Sequence, residues 1–199
     1  MWLNNLNLGD SSQNQPKEKI TTLFKGKIIE VIEKNIGGRK FEIARRSPGV
    51  RLIIRDWEKI LLTKEYRHEH NTYDYRLPGG KVFDTLEEFN KKLENNENIN
   101  SYAETAAKNE CKQETGLIVK SIQPLTISKA GATVERDLHY FLVNDFEKNE
   151  KGQELEEWEN ITTEWKTLEE AKDLCLNWSI KEDRSVWVLL KYLLSNKKS

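Results

Sequence analysis

The run Tyr75-Arg76-Leu77-Pro78-Gly79-Gly80 constrains this chain more than any other segment. A strand that meets Pro-Gly-Gly must end and turn, because proline has no ladder donor and glycine alone takes sharply turned backbone without strain. Farther on, residues 101–115 carry Tyr102, Ala106, Ala107 and Cys111 near one helical face, and Gly116 follows as a C-terminal cap. Glu110 and Glu114 stand four apart on that helix and share a face, with Gln113 beside them. The pattern predicts a strand, a diglycine turn, and a helix whose final turn presents two carboxylates.

The flanks supply strands and further helices. Ile28, Ile29, Val31 and Ile32 form a β-branched cluster, Ile36-Gly37-Gly38-Arg39 supplies a turn, and Phe41 and Ile43 alternate with Glu42 and Ala44. This predicts a meander of two or three strands. Val50–Ile54 and Lys59–Tyr66 read as a hairpin around Asp56-Trp57-Glu58, and Asp74–Leu77 as a short strand. Residues 84–94 place Leu86, Phe89 and Leu93 on one helical face, and residues 95–100 break that helix. Strands are expected from Leu117, over Leu138–Val143 and over Ile161–Trp165, with the acidic run 145–157 as a loop. Thr167-Leu168-Glu169-Glu170 has the form of a capping box opening a helix to about Leu176, and Ser185–Leu194 is amphipathic.

The resulting class is α/β (α+β), a mixed β-sheet between helices with an N-terminal antiparallel extension. The organisation expected is a polar arm over 1–20, strands over 21–46, and the main domain over 47–199 interrupted by an insertion at about 84–100.

A formal net charge of -1 gives no global pull toward nucleic acid or a membrane surface. No stretch approaches the ~18 apolar residues of a membrane span, and the N-terminus lacks the basic-then-apolar form of a signal peptide. A cytoplasmic protein is expected. Cys111 and Cys175 form no CxxC pair, so neither zinc nor a disulfide framework is implied. His68, His70 and His139 are not spaced as a ligand set, and His139 reads as a core residue.

Two carboxylates one turn apart, facing a glycine turn, offer oxygen donors of the kind Mg2+ takes. Such an ion polarises phosphoryl oxygens and orients an attacking water. The same spacing also fits a solvated helix face, so the neighbouring residues decide.

The block LPGGKV followed by AETAAKNECKQETGLIV resembles the Nudix box, whose pattern is G-x5-E-x7-R-E-U-x-E-E-x-G-U with U apolar. Gly80, Glu110, Cys111, Glu114, Gly116 and Leu117 match it. The chain departs from it at three places, with Ser101 for the early Glu, Asn109 for the Arg and Gln113 for the first Glu of the closing pair. About fifteen extra residues also separate Gly80 from Ser101. Along FEIARRSPGV, LLTKEYR and EEWENITTEWKTLEEA the likeness is to the ADP-ribose pyrophosphatase branch.

The resemblance implies a Mg2+-dependent pyrophosphohydrolase, with Mn2+ able to substitute. It would cleave a nucleoside diphosphate linked to another moiety, ADP-ribose or a related nucleotide sugar, to a nucleoside monophosphate and a sugar phosphate. It implies metal ligation by Glu110, Glu114 and the Gly79 carbonyl, with Gln113 at a further ligand position. Glu157 or Glu159 would position water, together with Glu114 at the reacting centre, the alternative for both loop acids being a solvated surface. Arg67 matches a phosphate-contacting position, the alternative being a surface ion pair. Arg45 and Arg46 would reach substrate across a homodimer built through the N-terminal strands, although a plain charged strand end is the favoured reading of the two. Glu135 matches another loop acid. Ser101, Asn109 and Gln113 support a second reading, a nucleotide-binding or regulatory domain that does not cleave. The insertion is read either as a partner interface or as a lid following the diglycine turn.

Overall fold

The computed structural model describes residues 19–68 and 71–195. The expected polar arm falls almost wholly outside the described residues, as does His70. In chain order the elements are β1 (Lys19–Lys25), β2 (Glu30–Ile36), β3 (Arg39–Arg45), β4 (Gly49–Asp56), β5 (Lys59–Arg67), β6 (Thr72–Arg76), α1 (Leu86–Glu94) and α2 (Ile99–Glu110). A π-turn over Cys111–Thr115 follows, then β7 (Leu117–Ser128), β8 (Val134–Glu135), β9 (Leu138–Lys148), β10 (Ile161–Thr167), α3 (Leu168–Leu176) and α4 (Asp183–Ser195).

Among the described residues, β1, β2, β3 and β8 form one sheet, and β10-β5-β4-β9-β7 form the second, with β6 on β5. The class read from the sequence is the one observed, a mixed sheet between helices with a strand extension before it. β4 runs parallel to β9 and antiparallel to β5 at the centre. Apart from Arg51, its buried side chains Val50, Leu52, Ile53 and Ile54 are apolar on both faces, as a strand covered on both sides requires. Val50, Leu52 and Ile54 pack on Ala103, Ala107 and Cys111, while Ile53 packs among Val188, Leu189 and Tyr192 of α4. The small residues Ala103 and Ala107 let α2 approach the sheet closely; Tyr102 and Ala106, expected on that face, are only partly buried. Each fully buried Leu, Ile or Val contributes about 1.5–3 kcal/mol.

Residues 145–148 correct the sequence reading, because β9 continues through them rather than ending in a loop. Asp145 and Glu147 stay exposed while Phe146 between them is partly buried, stacked on Trp165 at 6.0 Å between ring centroids. The acids occupy the outward positions of a period-two strand. The capping box at Thr167 forms as expected, with Glu170 returning its side chain to the cap.

The insertion carries its own small core, in which Leu86 and Phe89 bury against Phe83 with Tyr102 and Ile99 beside them. It is tied to the N-terminal sheet by Asn90, whose Nδ2 donates to Glu30 at 3.1 Å. Ser47 Oγ donates to the Phe83 carbonyl at 3.2 Å and fastens the start of the insertion. Among the described residues no helix is long and apolar enough to cross a membrane.

Arg51 is buried inside the apolar strand β4. Its Nε and Nη2 donate to Glu182 at 2.8 and 3.1 Å, and its Nη1 donates to the carbonyls of Val50 and Gly79 at 2.8 and 3.1 Å. The bidentate pair therefore holds the diglycine turn against the loop that leads into α4. Burial alone would raise the pKa of Glu182, but Arg51 and the Ser185 hydroxyl outweigh it and bring it to about 2 from an ordinary 4.5. A depressed carboxylate stabilises the fold above its unfolded pKa and loses that contribution as pH falls through its folded value. The unfolding free energy from urea titrations should therefore drop between about pH 4.5 and 2, by on the order of 3 kcal/mol from this group. Glu182→Gln should flatten that part of the curve; an unchanged slope would show that the pair does not govern acid stability.

Candidate active site

Glu110 closes α2 and Glu114 lies in the π-turn that follows. π-turns occur often at functional sites because the extra residue re-aims side chains. Here the Gly79 backbone N–H donates to Glu114 Oε2 at 2.7 Å, and the Lys81 backbone N–H bonds the Glu110 carboxylate. The turn needs both its glycines. Gly79 has φ +141°, and a β-carbon there would overlap the Val50 carbonyl; a β-carbon on Gly80 would overlap the Glu110 carboxylate itself. Glu110 thus occupies the space that a side chain at position 80 would take.

Both carboxylates are costly in this position. Burial, then the charge of Glu159, pushes Glu110 up to about 7, with Arg51 and Lys81 pulling it back. Burial pushes Glu114 up to about 8, with Glu110 and Glu159 adding to the shift and the Gly79 N–H and Arg51 opposing it. Desolvation and like charge are the two effects that disfavour an ionised acid. A divalent cation relieves both.

The donors fit a hard ion: two carboxylates and the adjoining backbone carbonyls, all oxygen. The Gly79 carbonyl already accepts from Arg51, which leaves its second lone pair. Among the described residues no group of three or more His, Cys, Asp or Glu side chains is placed to hold a metal ion, so the protein side chains offered to an ion here are the two glutamates alone. An open site fits Mg2+, which keeps waters and takes substrate oxygens as ligands.

The acidic loop before β10 is pinned over the π-turn. The Glu154 N–H donates to the Gln113 carbonyl at 2.9 Å, and Gln153 Nε2 donates to the Glu114 carbonyl at 2.5 Å. Gly116 lets this loop pass, since a β-carbon there would press on the backbone of Gly152 and Gln153. Glu159 sits half-buried where its charge acts on both Glu110 and Glu114, and its Oε2 accepts from the Glu156 N–H at 2.9 Å. Glu157 is exposed, and the larger influences on the two glutamates come from Glu159 and Arg51.

The remaining expected positions are distributed around this centre. Arg67 donates to Glu65 at 2.9 Å and lines a cavity of about 660 Å3 with Glu159, Trp158 and Tyr66. The Gln113 side chain is exposed. Glu135 is held by Lys34 at 2.8 Å and Arg45 at 2.6 Å in the N-terminal sheet, and with Arg46 it borders a different cleft. The sequence reading missed Arg51, although an arginine inside Gly-Val-Arg-Leu-Ile-Ile was a visible signal: such a charge is buried only when paired. It also missed Arg136, whose guanidinium lies 3.9 Å from the β-position of Gly49, itself 3.0 Å from the Gly80 carbonyl.

With this geometry in hand, the comparisons are unambiguous about class. The family model described as the NUDIX domain matches residues 45–186, and the chain belongs to that family. Membership places it among hydrolases of nucleoside diphosphates linked to a second group, which generally use divalent metals. Among the solved structures 198 chains match. One, a crystal structure of an ADP compounds hydrolase, aligns with a TM-score of 0.64 at 16% identity, over 94% of this chain and 98% of its own. At that identity the likeness speaks for the fold. No curated protein matches by sequence.

Proposed function

We propose that this chain is a Mg2+-dependent pyrophosphohydrolase acting on ADP-ribose or a related nucleotide sugar. The observation that supports it is the pair of mutually repelling, half-buried carboxylates, Glu110 and Glu114, held over the diglycine turn with Glu159 in their field. Glu110, Glu114 and the Gly79 carbonyl would hold the ion, which when bound supplies charge neutralisation at the phosphates. Glu159 accepts a hydrogen bond from the water and aims it at one phosphorus. Arg67 offers a planar fork of donors to a phosphate oxygen. Arg51 holds Gly79 and so fixes where the phosphates meet the carboxylates. Exposed Leu23, Phe24 and Phe41 on the N-terminal sheet support a homodimer through that surface.

The test is a panel of ADP-ribose, other nucleotide sugars and dinucleotides with Mg2+, Mn2+ or a chelator, followed by product identification. Metal-dependent release of a nucleoside monophosphate and a sugar phosphate is expected. Glu159→Gln should slow it by about 10²-fold, and Glu157→Gln should leave it unchanged. Binding of these nucleotides with no cleavage under any metal would support the second reading, a nucleotide-binding domain. The exposed Gln113, where the family carries an acid, is the residue that favours that reading.

A further inference from the structure

On the basis of that reading, we propose that the cleft between the insertion and the β7–β8 loop binds the nucleobase end of the substrate. The cleft encloses about 500 Å3, within the usual range for a small-molecule site. Phe89, Leu93 and Ile99 form the insertion wall, and Ile127 and Val134 face them. Leu93 lies on the apolar face of α1 yet stays 37% exposed, and Ile127 and Val134 are 42% and 40% exposed. These walls therefore face a gap that the described residues do not fill.

The floor is polar. His139 of β9 lines the cleft, its side chain is buried, and its Nε2 has no hydrogen-bond partner. A buried ring nitrogen left unpaired costs free energy, which a ligand atom reaching it would recover. Burial holds the imidazole toward its neutral form against the pull of Asp137. A planar heterocycle satisfies both features, with apolar faces for the walls and an edge donor or acceptor for Nε2.

The cleft also adjoins the segment that follows the diglycine turn. Pro48 lines it and accepts from the Val82 N–H at 3.0 Å, two residues past Gly80. Arg46 lines the same end, close enough for its charge to act on Arg136. Arg136 stands beside Gly49 and the Gly80 carbonyl, and its Nε is buried without a partner. A diphosphate at the glycine turn would pass these two arginines and deliver its nucleoside into the cleft. The 660 Å3 cavity on the other side is rimmed by Glu65, Arg67 and Glu159, which suits phosphate and sugar hydroxyls, although Trp158 there is a rival stacking platform.

The experiment measures binding of ADP and of inorganic pyrophosphate to the full chain with Mg2+, by calorimetry, for the parent, Leu93→Trp and Val134→Trp. Both substituted side chains are substantially exposed, so folding is expected to survive, and thermal unfolding checks it. Filling the cleft should weaken ADP by at least about tenfold and leave pyrophosphate within about twofold. The imidazole nitrogen signals of His139 should shift with ADP and not with pyrophosphate. Unchanged ADP affinity in both variants overturns the proposal, as does a loss produced by Trp158→Ala while His139 stays silent. A parent that binds pyrophosphate but not ADP overturns the cleft and leaves the catalytic centre standing; a parent that binds neither overturns both.

Discussion

Glu114→Gln is expected to lower Mg2+-dependent hydrolysis by at least about 10²-fold while the folded chain becomes no less stable. The two effects separate because the residue is costly to the empty protein. Its pKa is raised to about 8, so the ionised form is disfavoured in the fold, and glutamine removes that charge. Glutamine also keeps an oxygen that can accept from the Gly79 N–H, which now bonds Glu114 at 2.7 Å. What it loses is an anionic donor for the ion. Turnover at several substrate concentrations and thermal unfolding without metal measure the two effects. Unchanged turnover would remove Glu114 from the chemistry, and a large loss of stability would make it a structural residue.

Gly80→Ala should produce the second large effect, through a single methyl group. The β-carbon of alanine would occupy the space now held by the Glu110 carboxylate. Gly80 does not have the positive φ of Gly79, so alanine fits its backbone, and the cost falls on the carboxylate. Glu110 must swing away; losing a group that merely orients a ligand costs about 10–100-fold in metal affinity or activity, and displacing the ligand itself should cost at least as much. Gly79→Ala is a different experiment, because its β-carbon would overlap the Val50 carbonyl and strain a backbone at φ +141°. That variant should lose stability, whereas Gly80→Ala should keep it and lose metal-dependent turnover. Full activity in Gly80→Ala would mean that Glu110 is free to work from elsewhere.

The strand, the diglycine turn and the carboxylate helix were legible because each rests on a local rule: glycine for the turn, helical spacing for the shared face, Gly116 for the cap. Phe146 was misread because the acids around it imitate a loop, and only its pairing with β7 and its stacking on Trp165 make it strand. The π-turn has no sequence signature of its own, so the shift of Glu114 onto the Gly79 N–H could not be read in advance. Choosing Glu159 over Glu157 depends on how the loop is pinned to the π-turn by Glu154 and Gln153, a tertiary matter. Arg51 was visible as an anomaly, but its partner Glu182 lies 131 residues away and no local pattern joins them.

The central claim is that Glu110 and Glu114 together hold a divalent ion against the diglycine turn. Titration of Mn2+ into the parent chain, Glu110→Gln and Glu114→Gln, followed by water-proton relaxation, tests it without requiring turnover. One site in the parent, weakened at least about tenfold in each variant, is the predicted result. Equal Mn2+ affinity in all three proteins would contradict it.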